Sequence, residues 1–252
     1  MNSKIEFHVM DEKTGKEKIV IHKSAIKEEL KGKISDKDIE RSCELTTSMS
    51  EIRKIYLDLI TGKGCQDKYD SCAELESDYN KSQCGNKCLP FGNSNADIMF
   101  VKRIPSVLEC GSMMSHSDTA GHFLLLMLDK IGKKPTDFFF TDFIKCPNQK
   151  INIDSCWRCA TSYFMKEVHV IKPKLLIFEG TSALKALMNE NIIIGIEDIK
   201  YGEIYDAEFI NFPLKVMCIY DIDSVLQKQG KDLQDAKNNL WIFVNKAIRL
   251  VS

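Results

Sequence analysis

From residue 97 to residue 251 the chain keeps one alternation: a short, mainly apolar run bounded by turn residues, then a segment with helical spacing. The runs are "DIMFV" (97–101), "DFFFTDFIKC" (137–146), "LLIFEG" (175–180) and "LKVMCIYD" (214–221). The helical segments are "AGHFLLLMLDKIG" (120–132), "SYFMKEVHVIKPK" (162–174, stopped by Pro173), "TSALKALMNE" (181–190) and "LQDAKNNLWIFVNKAIRL" (233–250). A strand wetted on one face alternates apolar and polar residues, whereas a nearly continuous apolar run is covered on both faces. Strands of that kind separated by helices specify an α/β fold, with a parallel sheet covered by helices on each side.

The first 80 residues have another texture. "KIEFHVM" (4–10), "DEKTGKEK" and the return to residue 22 read as a hairpin. "SAIKEELKGK" (24–33) opens a short helix on a serine cap, and "EIRKIYLDLI" (51–60) has helical spacing. Residues 61–83 are polar and irregular and carry Cys65 and Cys72. The expected organisation is a small α+β extension over 1–80 and an α/β domain over 81–252, which 252 residues can supply. The extension is a candidate surface for a protein partner.

A net charge of −1 excludes a global pull toward nucleic acid and leaves room for local basic patches. No stretch approaches the roughly 18 apolar residues of a membrane span. "MNSKIEFHVMDEKTGK" has no apolar core of a secretory signal, so a cytoplasmic protein is expected, or a viral one in host cytoplasm or nucleus. Ten cysteines in a reducing compartment read as metal ligands or buried thiols, not as a disulfide frame.

Cys84 and Cys88 precede the first run, and Cys146, Cys156 and Cys159 follow the second. Thiolates select zinc or iron–sulfur clusters, and four cysteines with no clustered histidine fit either. The competing explanation is that free cysteines simply bury well, and it is the reading for Cys43, Cys110 and Cys218. Cys65 and Cys72 stay open as a second metal site.

"CGNKCLPFG…NADIMFV", "DTAGHFLLLMLDKIG", "FFFTDFIKCP", "CATSYFMKEVHVIKPKLLIFEGTSALKALM" and "KVMCIYDIDSVLQ" follow one another over 84–250, about two thirds of the chain. In that order and spacing they resemble the iron–sulfur uracil-DNA glycosylases, family 4 of that superfamily. The resemblance implies a three-layer α-β-α fold with a central four-stranded parallel sheet. It also implies a [4Fe–4S] cluster (alternatively zinc) held by Cys84, Cys88, Cys146 and Cys159, with Cys156 as an alternative ligand. The first pair has one extra residue between ligands, and the loop between Cys146 and Cys159 is short.

The same resemblance marks the pocket positions, and each is altered. The family's water-activating Gly-Glu-Ala-Pro-Gly falls on "KRIPS" (102–106), with Glu109 as the nearest carboxylate. Its stacking aromatic falls on His116 and its base-reading Asn on Asp142. Its His-Pro-Ser falls on Asp221-Ile222-Asp223, where a carboxylate opposes the charge of a departing base. An Asn amide offers one donor and one acceptor to uracil, while an ionised Asp only accepts and favours an exocyclic amino group. The competing roles for Asp142 are a turn cap and a pair with Lys145. Lys102, Arg103 and Ser224 are candidates for contacts to DNA, and Lys145 and Arg158 add positive charge nearby. The expected function is a DNA-binding scaffold that keeps the cluster and has lost ordinary uracil excision. One alternative is a glycosylase, hydrolysing the N-glycosidic bond of a different or modified base. Another is an adaptor subunit of a nucleic-acid-processing complex.

Overall fold

The strand runs pair as one mixed sheet in the computed structural model, which describes residues 6–10, 17–21, 47–61, 87–146, 160 and 163–251. The chain divides into two compact units, Met1–Thr47 and Ser48–Ser252. The described part of the first is an antiparallel hairpin, β1 (Glu6–Met10) and β2 (Glu17–Ile21), with Glu6 opposite Ile21. The helix expected at 24–33 lies outside the described residues.

The second unit begins with α1 (Thr47–Thr61), which buries Ile52, Ile55 and Leu59 at helical spacing. There follow β3 (Phe91–Gly92), β4 (Ile98–Lys102), α2 (Val107–Ser112), α3 (Thr119–Lys130) and β5 (Phe139–Asp142). Then come α4 (Phe164–Ile171), β6 (Leu175–Glu179), α5 (Ser182–Asn189), β7 (Ile193–Ile194), β8 (Ile204–Phe209), β9 (Phe212–Ile219), α6 (Ile222–Leu226) and α7 (Gly230–Val251). The sheet order is β3-β5-β4-β6-β9-β8-β7. β5, β4, β6 and β9 run parallel and form the centre, and antiparallel β3 borders one side while β8 and β7 border the other. The four apolar runs are thus the four central strands.

Side chains alternate across a strand, and that period sorts the core. Ile98 and Phe100, Phe140, Leu175 and Ile177, and Met217 and Ile219 meet Leu124 and Leu128 of α3 and Leu240 and Val244 of α7 on one face. The opposite face takes α4, whose Phe164 ring lies 6.4 Å from that of Phe178 and 5.3 Å from that of Phe143. After β5 the chain returns past β4 to form β6 on its other side. The order therefore reverses between β4 and β6, and in open parallel sheets ligands bind where that happens, at the carboxyl ends of the strands. No helix among the described residues is long and apolar enough to cross a membrane.

Candidate functional site

Strand periodicity carries three ionisable residues to one place. Lys102, Asp142 and Glu179 end β4, β5 and β6, each two residues beyond a core residue of the α3/α7 face: Phe100, Phe140 and Ile177. Lys102 and Asp142 are directly paired in the sheet register. All three side chains are buried.

Lys102 is spent inside the protein. Its Nζ donates to Glu109 Oε2 at 3.0 Å and to Asp118 Oδ2 at 2.7 Å, and it lies 3.3 Å from Asp223 Oδ2. Burial alone would lower the pKa of the ammonium, but Glu109 and Asp118 hold it well above the ordinary value. Glu109 is fully buried and serves several donors. Oε2 accepts from the Ser106 amide and Oε1 from the His116 amide, both at 2.6 Å. Ser106 Oγ in turn accepts from the Glu109 amide, closing a capping box at the start of α2. Burial and the nearby Asp142 raise the Glu109 carboxyl to about 7, with Lys102 opposing them. Asp118 caps α3 by accepting from the Gly121 amide. Burial would raise its pKa, but the bond from Lys102 holds it below the usual range.

His116 is locked from both ring nitrogens. Nδ1 is 2.7 Å from Ser115 Oγ and Nε2 is 2.8 Å from Glu179 Oε1, with the imidazole 5.2 Å from the Phe140 ring. Its backbone is left-handed (φ +58), a conformation that side chains rarely adopt. Gly121 answers that turn: a Cβ there would stand 2.1 Å from the His116 carbonyl oxygen. Burial would lower the imidazole pKa, but the Glu179 carboxylate raises it.

Asp142 neither caps a turn nor pairs with Lys145. Both its oxygens are buried and have no hydrogen-bond partner among the described residues. The Ser115 hydroxyl is close enough to favour its charged form, and it also lies 2.7 Å from His116 Nδ1. Burial raises the Asp142 pKa, with His116 and Lys145 acting against it. Lys145 turns to the other face of the sheet, where Nζ lies 2.8 Å from both oxygens of Glu167 and contacts Thr141 Oγ1. Asp221 caps α6 by accepting from the Ser224 amide at 2.8 Å, and Ser224 and Arg103 are exposed.

Sequence reasoning singled out Lys102, Glu109, His116 and Asp142, and the fold brings them together. It missed Ser115, Asp118 and Glu179. A signal for Glu179 existed: a carboxylate that ends a buried strand at a sheet's carboxyl edge. A shallow groove lined by Lys174, Pro213, Leu214 and Leu250 lies at the opposite end of the strands and holds none of these groups.

Of the predicted cluster ligands, Cys84, Cys156 and Cys159 lie outside the described residues, as do Cys43, Cys65, Cys72 and Arg158. The Cys88 amide donates to the Lys145 carbonyl at 2.9 Å, which puts Cys88 beside the backbone that leads into Cys146. Cys146 is half-buried. Cys88 is fully buried, and a bond with the Cys110 thiol, followed by burial, raises its pKa far above the ordinary value. The backbone therefore brings the segments that carry Cys88 and Cys146 side by side. Cys88 would have to turn from Cys110 and ionise to act as a ligand. Burial also pushes Cys218 up, to about 12, as expected of an inert core thiol.

A model of the uracil DNA glycosylase superfamily matches residues 89–244. The chain belongs to that superfamily. It is similar to the type-4 uracil-DNA glycosylase of Archaeoglobus fulgidus, 27% identical over 141 residues that cover 54% of this chain and 70% of that protein. The type-4 enzyme of Pyrobaculum aerophilum is 24% identical over 143 residues, covering 54% and 71%. At these identities it is a divergent superfamily member related to the type-4 enzymes. The matched region begins just after Cys88.

Proposed function

We propose that this protein binds DNA on a glycosylase scaffold whose base site is closed by its own side chains, so that it does not excise uracil by the ordinary route. One observation carries the reading: the crevice between the ends of β4 and β6 is filled by Lys102 with its three carboxylates and by the His116–Glu179 pair. A glycosylase must admit an extruded base, stack it and stabilise charge as it leaves. His116 stands where the resemblance places the stacking aromatic, and it is 1% exposed and bound at both nitrogens. Asp221 and Asp223 stand where a histidine would face the departing base, and both are acidic. An iron–sulfur cluster held by Cys84, Cys88, Cys146 and Cys159 is part of the proposal, with Cys156 as the alternative to Cys159. It would tie the segment before β3 to the loop after β5.

Asp142 favours a second reading, a glycosylase retuned to another base. Two buried carboxyl oxygens without a partner among the described residues are costly unless something meets them. Ionised, Asp142 would accept from an exocyclic amino group; held neutral by burial, it would donate as well and imitate an amide. The test is direct detection of free base after incubating the protein with single- and double-stranded DNA containing uracil, cytosine or modified pyrimidines. No release is expected. Release of uracil overturns the closed-site reading. Release of an amino-bearing base, abolished by Asp142→Asn, establishes the second. DNA binding should weaken steeply with added salt, and absent or salt-insensitive binding would favour an adaptor role.

A further inference from the structure

We propose that Lys145 is the positioning residue of the thiol centre: its side chain fixes the bend that carries Cys146 and receives Cys88. The inference rests on the cluster part of the proposed function and names the group that holds the ligand segments in place. Three attachments meet at this one residue. Its chain neighbour is Cys146. Its carbonyl oxygen accepts from the Cys88 amide at 2.9 Å. Its Nζ donates to Glu167 Oε2 at 2.8 Å and contacts Thr141 Oγ1. Glu167 lies in the first turn of α4, the helix that follows Cys159 in the chain.

The bend is built to be held in this way. β5 ends at Asp142, and the amides of Phe143 and Ile144 still donate to the carbonyls of Lys102 and Arg103, at 2.8 and 3.2 Å. One residue further the side chain of Lys145 runs back to Thr141 on β5 and across to α4. Thr141 Oγ1 also donates to Glu167 Oε2 at 2.6 Å, which closes the triangle. The Cys88 segment is anchored on its other side. The Leu89 amide donates to the Met113 carbonyl at 3.2 Å, and the Ser115 amide to the Leu89 carbonyl at 2.8 Å.

The energetics favour a role in position over one in stability. Lys145, Glu167 and Thr141 are all fully buried. A buried pair of this kind adds little net stability, because well-packed apolar groups of similar volume often do as well or better. What a buried, bonded ammonium supplies is one allowed arrangement, since any shift leaves it without its partners. Metal sites depend on such outer contacts, which orient the ligands without touching the metal.

The test follows iron release to a ferrous chelator from the full-length protein, purified without oxygen. Lys145→Met keeps the backbone carbonyl and most of the side-chain volume and removes the ammonium. It should lose iron roughly 10–100-fold faster than the wild type. Glu167→Gln keeps a neutral acceptor and should fall between the two, and it carries the comparison if Lys145→Met yields no folded protein. Leu128→Ala opens a cavity on the other face of the sheet and lowers stability, yet it should release iron at the wild-type rate. Wild-type release from Lys145→Met, or from Glu167→Gln where that variant stands in, overturns the inference alone. Release from Leu128→Ala as fast as from Lys145→Met does the same, since lost stability would then explain both. A wild type without iron and acid-labile sulfide overturns the cluster reading as well.

Discussion

His116 Nε2 lies 2.8 Å from Glu179 Oε1, and both side chains are shut off from solvent. The pair joins the turn before α3 to the end of β6 across the reversal of the sheet. Because Glu179 raises the imidazole pKa above 6.5, the stabilisation is fully present below that pH and is lost as pH rises through the folded value. Glu179→Gln should remove this part of the pH dependence. At pH 6 it should destabilise the protein by roughly 3–5 kcal/mol, as expected when one partner of a buried pair is removed. Urea midpoints across pH 5–9 measure both effects. A variant with the wild-type slope would show that the pair is not ionised.

Lys102 is the hub of the second half of the site. Lys102→Met should leave Glu109 and Asp118 buried without their cation and cost roughly 3–5 kcal/mol, against under about 0.5 kcal/mol for exposed Arg103→Ala. Glu109 has its own signature. A carboxyl raised from 4.5 to about 7 is disfavoured in its ionised form, so stability falls as pH rises through that window. Glu109→Gln should flatten the fall. Thermal melts at pH 4.5, 6 and 7.5 decide it, and an unchanged slope would assign the titration to another group.

Much of this fold is legible in the sequence because its central strands are covered on both faces. "DIMFV", "LLIFEG" and the run ending in Cys218-Ile219 declare themselves by apolar content alone. β8 does not: Ile204–Phe209 is exposed or partly exposed at four of its six positions, and its antiparallel pairing with β9 is a tertiary outcome. Composition was equally silent on the burial of Lys102, which reads as a candidate DNA contact, and of Lys145, which reads as nearby positive charge or a partner of Asp142. Lys102 is buried because strand alternation aims it at Glu109 and Asp118, and Lys145, in the bend after β5, is buried against Glu167 on the other face. Such partners lie 7 to 22 residues away and cannot be named before the sheet register is known.

The cluster proposal makes Cys146 and Cys218 differ. Protein prepared without oxygen should be brown and contain iron and acid-labile sulfide. Cys146→Ser should lose iron and folded yield, whereas Cys218→Ser changes a core thiol and should keep its iron. Stoichiometric zinc in a colourless wild type would refute the cluster, and equal iron in the two variants would remove Cys146 from the ligand set.

Asp142 gives a test in which a mutation should stabilise. Its carboxyl is fully buried with no hydrogen-bond partner to its oxygens among the described residues, and burial raises its pKa above 3.8. The neutral acid is tolerated and the anion is not, so the wild type loses stability as pH rises from about 3.8 through the folded value. Asn keeps the shape and cannot ionise. Asp142→Asn should therefore match the wild type near pH 4 and become progressively more stable than it toward pH 9. The urea midpoint at each pH reads the difference. If the variant is instead less stable at high pH, the Asp142 anion has a cationic partner in solution, and His116 and Lys145, which act on it electrostatically, become the first residues to replace.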